Sequence, residues 1–228
     1  MEAAAEAKAG RLAADLDEAM ARINARSATR VTLSTMTITA RTTAPKVCRD
    51  SMAIAAALVD GDGPLGPCAS KRRKRPRATF YNQITLRHGS KSIKVFNNGT
   101  VHVTGCASIP EFSRVIGSVC KLMEDTAGIA DTVRITDFDV QMINLNFSAG
   151  KPLFLREMHD ACAAQGFIAS YDADVYPGLN VKLPVGGGQR RVTTLMFKSG
   201  KVIMTGAKSP AELDEAHEVI AGILASTE

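Results

Sequence analysis

The chain has 228 residues, 45% of them hydrophobic, with no tryptophan and a net charge of +5, enough for one sizeable core or two small ones. No stretch approaches the roughly 20 unbroken apolar residues that cross a bilayer, and Glu2, Glu6, Asp15, Asp17 and Glu18 in the alanine-rich start do not fit a signal or transit peptide; a soluble, intracellular protein is expected. The charge is local: the run Lys71-Arg72-Arg73-Lys74-Arg75-Pro76-Arg77 carries six positive charges and leaves the rest of the chain at −1, so the basic excess belongs to one segment.

Residues 1–27 predict a helix with Leu12, Leu16, Met20 and Ile23 on one stripe, either packed on the fold, offered to a partner or solvated. Arg30 to Ala40 alternates as a strand does, and a short helix is expected near Ser51 to Leu58. Residues 60–79 have no periodicity and read as a disordered insertion; the basic run inside it fits a nuclear-localisation signal or a phosphate-binding arm equally well. A strand at Phe80 to Arg87 precedes a strand-turn-strand at Val95 to Gly105, with Asn98-Gly99 at the turn. Ser108 is placed as the N-cap of a helix whose apolar stripe is Phe112, Val115, Ile116, Val119 and Leu122.

The same order then recurs. Arg134 to Phe147 reads as a strand, Leu153 to Gln165 as a helix, Tyr176 to Leu183 as a strand, and Met196 to Gly206 as a hairpin with Ser199-Gly200 at its turn. Ser209 caps a last helix with Leu213, Ala216, Ile220 and Ile223 on one face. Gly186-Gly187-Gly188 marks a long hairpin expected to be mobile. The two hairpins repeat Phe, Gly, Val, Thr and Gly 101 positions apart, so the chain divides into an N-terminal helical extension (1–27) and two sheet-and-helix repeats, 28–128 and 129–228. If Met196, Val202 and Met204 face the helices, then Leu195, Phe197, Ile203 and Thr205 face away from them. An apolar face left without a helix implies a partner surface.

Cys48, Cys68, Cys106, Cys120 and Cys162 form no C-x-x-C and no cluster with histidine, so buried thiols are expected rather than a zinc site or a disulfide framework. His88, His102, His159 and His217 are scattered, and no catalytic constellation, metal or cofactor site emerges. His159 and His217, both on helices, are expected at the surface or at an interface.

The strings Thr136-Asp137-Phe138 with Val140-Gln141, Tyr171-Asp172-Ala173-Asp174-Val175-Tyr176-Pro177-Gly178-Leu179, Leu195-Met196-Phe197-Lys198-Ser199-Gly200-Lys201-Val202 and Thr205-Gly206-Ala207-Lys208 resemble, in order, those of the TATA-box-binding protein family. The resemblance covers roughly residues 30–225 and is closest in the second repeat, as in a divergent homologue, cellular or viral. It implies an α+β saddle: two pseudo-symmetric repeats forming a curved antiparallel sheet, with helices on the convex face. The concave face then lies along the minor groove of AT-rich promoter DNA, and apolar wedges unstack base steps and bend the duplex.

By the same resemblance Phe80, Phe96, Tyr176 and Phe197 are the wedges, with Tyr81 competing for the place of Phe80. Groove contacts fall to Thr35, Lys94, His102, Thr104, Met142, Asn144, Leu195, Ile203 and Thr205, and phosphate contacts to Lys182, Lys201 and Lys208. Asp172, Asp174 and Val175 form an acidic-apolar loop that docks a transcription factor IIB-type partner, with other general transcription factors as further partners. The chain departs from the family in several places: Thr35 and Met142 stand where it has asparagines, Lys94 and His102 where it is apolar, Thr100 and Ala107 where it has lysines, and Tyr176 where it has phenylalanine. These departures bear on TATA selectivity. Three functional classes follow: a nuclear, DNA-bending transcription initiation factor; a protein-interaction module on the same fold with non-selective DNA binding; and, most remotely, an enzyme domain.

Overall fold

The computed structural model describes residues 1–44, 66–67, 83–127 and 132–226. In chain order the elements are α1 (Ala3–Arg26), β1 (Thr32–Thr42), β2 (Gly66–Pro67), β3 (Gln83–His88), β4 (Lys91–Phe96), β5 (Val101–Cys106), α2 (Ile109–Ala127), β6 (Ile135–Ser148), α3 (Leu155–Ala164), β7 (Ile168–Ser170), β8 (Gly178–Val185), β9 (Arg190–Phe197), β10 (Lys201–Ala207) and α4 (Pro210–Ser226). The fold is α+β.

The elements form two compact units. One comprises Met1–Arg11 and Thr37–Val140, the other Leu12–Met36 and Gln141–Glu228. The units therefore cut across the sequence repeats at two places, because the long strands β1 and β6 each contribute one half to either unit. In the first unit the strand order is β2-β3-β4-β5-β1-β6, and in the second it is β1-β6-β10-β9-β8-β7. The hairpin pairs β3/β4, β4/β5, β8/β9 and β9/β10 are antiparallel, as is β6/β10, whose register shifts between Thr205 and Ala207.

Period-two alternation builds each sheet. In β9 Val192, Thr194 and Met196 are buried while Thr193, Leu195 and Phe197 are half-buried; in β10 Val202 and Met204 are buried against half-buried Ile203 and Thr205. The buried set meets the helices. In α2 the expected stripe Phe112, Val115, Ile116, Val119 and Leu122 is buried, and the Phe112 ring packs on Phe138 with centroids 5.5 Å apart; burying such a ring contributes roughly 1.5–3 kcal/mol. Both repeat helices start with the same capping box. Ser108 Oγ accepts from Glu111 N–H at 3.2 Å, and the Glu111 carboxylate accepts from Ala107 N–H at 2.7 Å. Ser209 and Glu212 repeat this with distances of 3.2 and 2.7 Å, the second from Lys208 N–H.

Helix α1 buries Ala5, Ala9, Leu16, Ala19 and Ile23, with Leu12 and Met20 half-buried, so the predicted stripe is extended by alanines. In the first unit Lys8 Nζ donates to Asp137 Oδ1 at 2.8 Å and to the Phe138 carbonyl, with Asp139 Oδ1 at 3.2 Å. In the second, Arg22 and Arg26 pair with Asp214. These guanidinium hydrogen bonds hold the Asp214 carboxyl below its ordinary value against the opposing effect of burial, which is the largest single influence on it.

The structure departs from one sequence expectation here and agrees with another. Inside the insertion expected to be unstructured, Gly66–Pro67 forms strand β2 and pairs with Arg87 and Leu86; the basic run and the helix expected near Ser51 lie outside the described residues. At the triple-glycine hairpin Gly186 N–H donates to the Glu215 carboxylate at 2.9 Å and Val185 pairs with Arg190. Cys106, Cys120 and Cys162 are buried free thiols, each pushed by burial up to about 11.

The largest correction is His217. It is not at the surface but 1% exposed, one turn after Leu213 on the buried stripe of α4. Its ring tilts against Phe147 with centroids 5.2 Å apart, and Nε2 lies 3.0 Å from Ser27 Oγ. Burial depresses its pKa from 6.5 to about 4, so the folded protein keeps a neutral imidazole where the unfolded chain takes up a proton. Stability is then constant above about pH 6.5 and falls as the pH drops from there toward 4, by an amount on the order of 3 kcal/mol. Urea-unfolding midpoints measured from pH 7.5 to 4.5 check this: the parent loses stability across that window, and His217→Gln flattens the slope.

Candidate nucleic-acid interface

In the second unit α3 and α4 pack with the buried residues of β8, β9 and β10, and the alternate residues form the opposite face. On it the ladder sets Ile203 opposite Leu195 and Asn146, and Leu195 opposite Asn180. Thr205 stands opposite Asn144. The Thr205 hydroxyl donates to Asn144 Oδ1 at 2.6 Å and lies 3.3 Å from Met142 Sδ, while the Asn144 amide donates to Thr35 Oγ1 at 2.9 Å. Four of the predicted groove residues, Thr35, Met142, Asn144 and Thr205, are thus brought together, flanked by the apolar pair Leu195 and Ile203. The Asn144 amide carries two N–H donors, and one of them makes the Thr35 bond.

The edge of this face is aromatic. Phe197 is the last residue of β9, held there by a turn in which Gly200 N–H donates to the Phe197 carbonyl at 2.8 Å. Gly200 has φ +87°, and a Cβ there would run into the Lys151 carbonyl, so the turn requires glycine. Phe197 stands opposite Gly178, and Tyr176, 44% exposed, meets it edge-on with centroids 6.1 Å apart and planes at 63°. A Cβ on Gly178 would lie 2.9 Å from Phe197 and 2.8 Å from Tyr176. The missing side chain is what lets the two rings meet.

The first unit repeats the frame with different chemistry. Phe96 ends β4, and Gly99 N–H donates to its carbonyl at 3.0 Å, but the residue opposite is Gln83. Its aromatic neighbour is His102, whose ring is tilted against it with centroids 4.9 Å apart. Lys94 is exposed and stands opposite both Thr85 and His102. Burial, and secondarily the Lys94 ammonium, hold the His102 pKa below 6.5. Thr104 is exposed, with its hydroxyl oxygen 3.4 Å from that of Thr37. Phe80 and Tyr81 lie outside the described residues.

All three predicted phosphate contacts are exposed: Lys182 on β8 opposite Thr193, Lys201 at the start of β10, and Lys208 just after it. The acidic loop is a tight turn in which Tyr176 N–H donates to the Asp172 carbonyl at 2.9 Å and Asp174 N–H to the Asp172 carboxylate at 3.1 Å. It projects Val175, 81% exposed. Beside it runs an open groove of about 570 Å³ lined by Phe154, Arg156, Tyr171, Asp172, Asp174 and Lys198.

Sequence reasoning missed three residues here. Phe154, 66% exposed, falls within the helix expected from Leu153, although it stands between buried Leu153 and Leu155 immediately before α3; that alternation is the available signal. Gly178 enters the sequence reading only as part of a string, and Thr37 is not singled out in it. Among the described residues no group of three or more His, Cys, Asp or Glu side chains is placed to hold a metal ion.

Known proteins resemble this chain in part of its sequence and in its fold. The family model described as "Transcription factor TFIID (or TATA-binding protein, TBP)" matches residues 137–227. The TATA-box-binding protein of Dictyostelium discoideum is 27% identical over 143 residues, 63% of this chain and 65% of that protein. That of Saccharomyces cerevisiae is 25% identical over 141 residues, 62% and 55% of the two chains. That of Methanothermobacter thermautotrophicus is 32% identical over 126 residues, 54% and 63%. The match thus spans less than two thirds of each of these relatives. Among solved structures, Methanococcus jannaschii TBP aligns with a TM-score of 0.63 over 86% of this chain and 99% of that one, at 18% identity, a likeness of fold.

Replacing Gly178 by alanine is expected to drive the Tyr176 and Phe197 rings apart at a cost of about 1–3 kcal/mol while the protein stays folded. Nuclear Overhauser contacts between the two rings, present in the parent and lost in Gly178→Ala with the rest of the spectrum kept, check it.

Proposed function

We propose that this chain, which is similar to TATA-box-binding proteins in sequence, is a divergent member of that family and a nuclear transcription initiation factor that binds the minor groove of AT-rich promoter DNA and bends it. Each unit lays its outward strand face on the duplex. The observation that carries this reading is the outward face of the second unit, where Leu195, Ile203 and Phe197 sit on the side away from the helices. Burial of such a set is favourable against apolar surface, which the sugars along the walls of a minor groove supply.

The roles follow from placement. Phe197 with Tyr176, and Phe96 in the first unit, lie at the ends of strands where a ring enters a base step without displacing the sheet. Asn144, with its second amide N–H, and Thr35, with its own hydroxyl, offer the donors that the adenine N3 and thymine O2 acceptors take, and Thr205, whose hydroxyl donates to Asn144 Oδ1, orients that amide. Lys182, Lys201 and Lys208 neutralise phosphates, which gives affinity and salt dependence but no sequence preference. The function is binding, with no chemical step. Asp172, Asp174 and Val175, with the neighbouring groove and exposed Phe154, recruit a transcription factor IIB-type partner. A second reading, an interaction module with non-selective DNA binding, draws its support from the polar first-unit face and the exposed Val175 loop.

Energy-transfer bending with TATA and scrambled duplexes at fixed salt separates the two. The initiation-factor reading expects the TATA duplex to be bent and preferred, and expects Phe96→Ala and Phe197→Ala, folded by circular dichroism, to lose the bend. Equal, unbent and strongly salt-dependent binding to both duplexes supports the interaction module. Charge reversal at Asp172 and Asp174 is expected to leave bending intact and to abolish the mobility supershift with the partner factor.

A further inference from the structure

The repeat allows a residue-by-residue comparison of the outward faces. At an offset of 101, Phe96 and Thr104 correspond to Phe197 and Thr205, and both are kept; Lys94 and His102 correspond to Leu195 and Ile203, and both change. The structure places each changed pair at the same station. Lys94 stands directly opposite His102 in the β4/β5 ladder, as Leu195 stands opposite Ile203 in β9/β10. One station is therefore apolar and the other holds an ammonium beside an imidazole.

The imidazole is oriented. Its ring leans on Phe96 at 4.9 Å, and no described residue hydrogen-bonds its nitrogens. With its pKa held below 6.5, it is neutral at pH 7 and above, presenting one N–H donor and one bare nitrogen acceptor.

That acceptor has a specific use in the minor groove. A·T and T·A pairs show only acceptors there, whereas G·C adds the guanine 2-amino donor. An apolar station such as Leu195 with Ile203 strips water from that amino group and gives it no partner, so G·C is excluded. An ammonium next to an imidazole instead matches the mixed pattern: Lys94 donates to guanine N3 or cytosine O2, and the imidazole nitrogen accepts from the 2-amino group.

We propose that Lys94 and His102 make the first unit the G·C-tolerant half of the DNA-binding surface, His102 being the residue that determines it. The assignment rests on the groove-binding reading above and names the half-site that this reading leaves open: the second unit demands A·T, and the first accepts G·C.

The test is a competition titration at fixed salt and pH 7.5. An all-A/T duplex bound by the protein receives one G·C pair at each position in turn, and each G·C is then replaced by inosine·C, which lacks the 2-amino group. In one half of the site G·C is expected to cost less than about twofold and inosine to change little. In the other half G·C is expected to cost about tenfold or more, and inosine to restore the loss, in line with typical single-pair penalties. His102→Ile raises the penalty in the tolerant half to that of the other, while His102→Gln, which keeps a side-chain acceptor, leaves it low. A penalty that is uniform across the site, or a His102→Ile profile identical to the parent's, overturns the assignment while groove binding stands. Failure of the parent protein to bind the all-A/T duplex overturns both. Should His102→Ile not fold, the inosine series on the parent and the His102→Gln profile decide the matter alone.

Discussion

Successive side chains of a strand point to opposite faces, and in each unit the helices pack with one of those faces only. Everything else in this molecule depends on that constraint. It fixes why Met196, Val202 and Met204 are fully buried while Leu195, Ile203 and Phe197, one residue away, are not. A slip of one residue in any of these strands would exchange the two sets, so the register that builds the core also defines the outward surface. The turn glycines and capping boxes serve this register: Gly99 and Gly200 stop their strands at Phe96 and Phe197, and the paired Ser-Glu caps start α2 and α4 at equivalent places.

The inward faces of the two repeats are alike because packing demands it, and the outward faces have diverged because packing does not reach them. Phe96 leans on an imidazole over Gln83, whereas Phe197 leans on a tyrosine over a glycine. The second unit keeps an apolar pair beside a threonine-asparagine hydrogen-bond cluster, and the first carries a cation, an imidazole and threonines. A surface relieved of core duty is free to differ in chemistry between the two copies, and here it does.

Most of the fold was legible in the sequence because its signals were periodic and repeated. The stripe of α2, the alternation of β9 and β10, and the hairpin turns carry both a local pattern and a second copy 101 positions on. His217 escaped because its identity, not its position, was read: at i+4 from Leu213 it had to lie on the buried face, yet a histidine on a helix suggested the surface. β2 escaped because two residues carry no period. At the candidate site, the grouping of Thr35, Asn144 and Thr205 was only partly readable, since strand partners far apart in sequence are set by tertiary pairing. The contact of Tyr176 with Phe197 depends on the absence of a side chain at Gly178, which no side-chain pattern reveals.

The central claim is that the outward strand faces meet DNA by inserting rings between its bases. The most direct measurement is fluorescence of a duplex carrying 2-aminopurine at successive positions through the bound site, read at saturating protein. Ring insertion predicts brightening confined to separate steps toward the ends of the site, where the stack opens, with the central positions unchanged. Saturated binding that leaves every position as dim as in free duplex would contradict it, because a protein held by phosphates alone leaves the base stack closed.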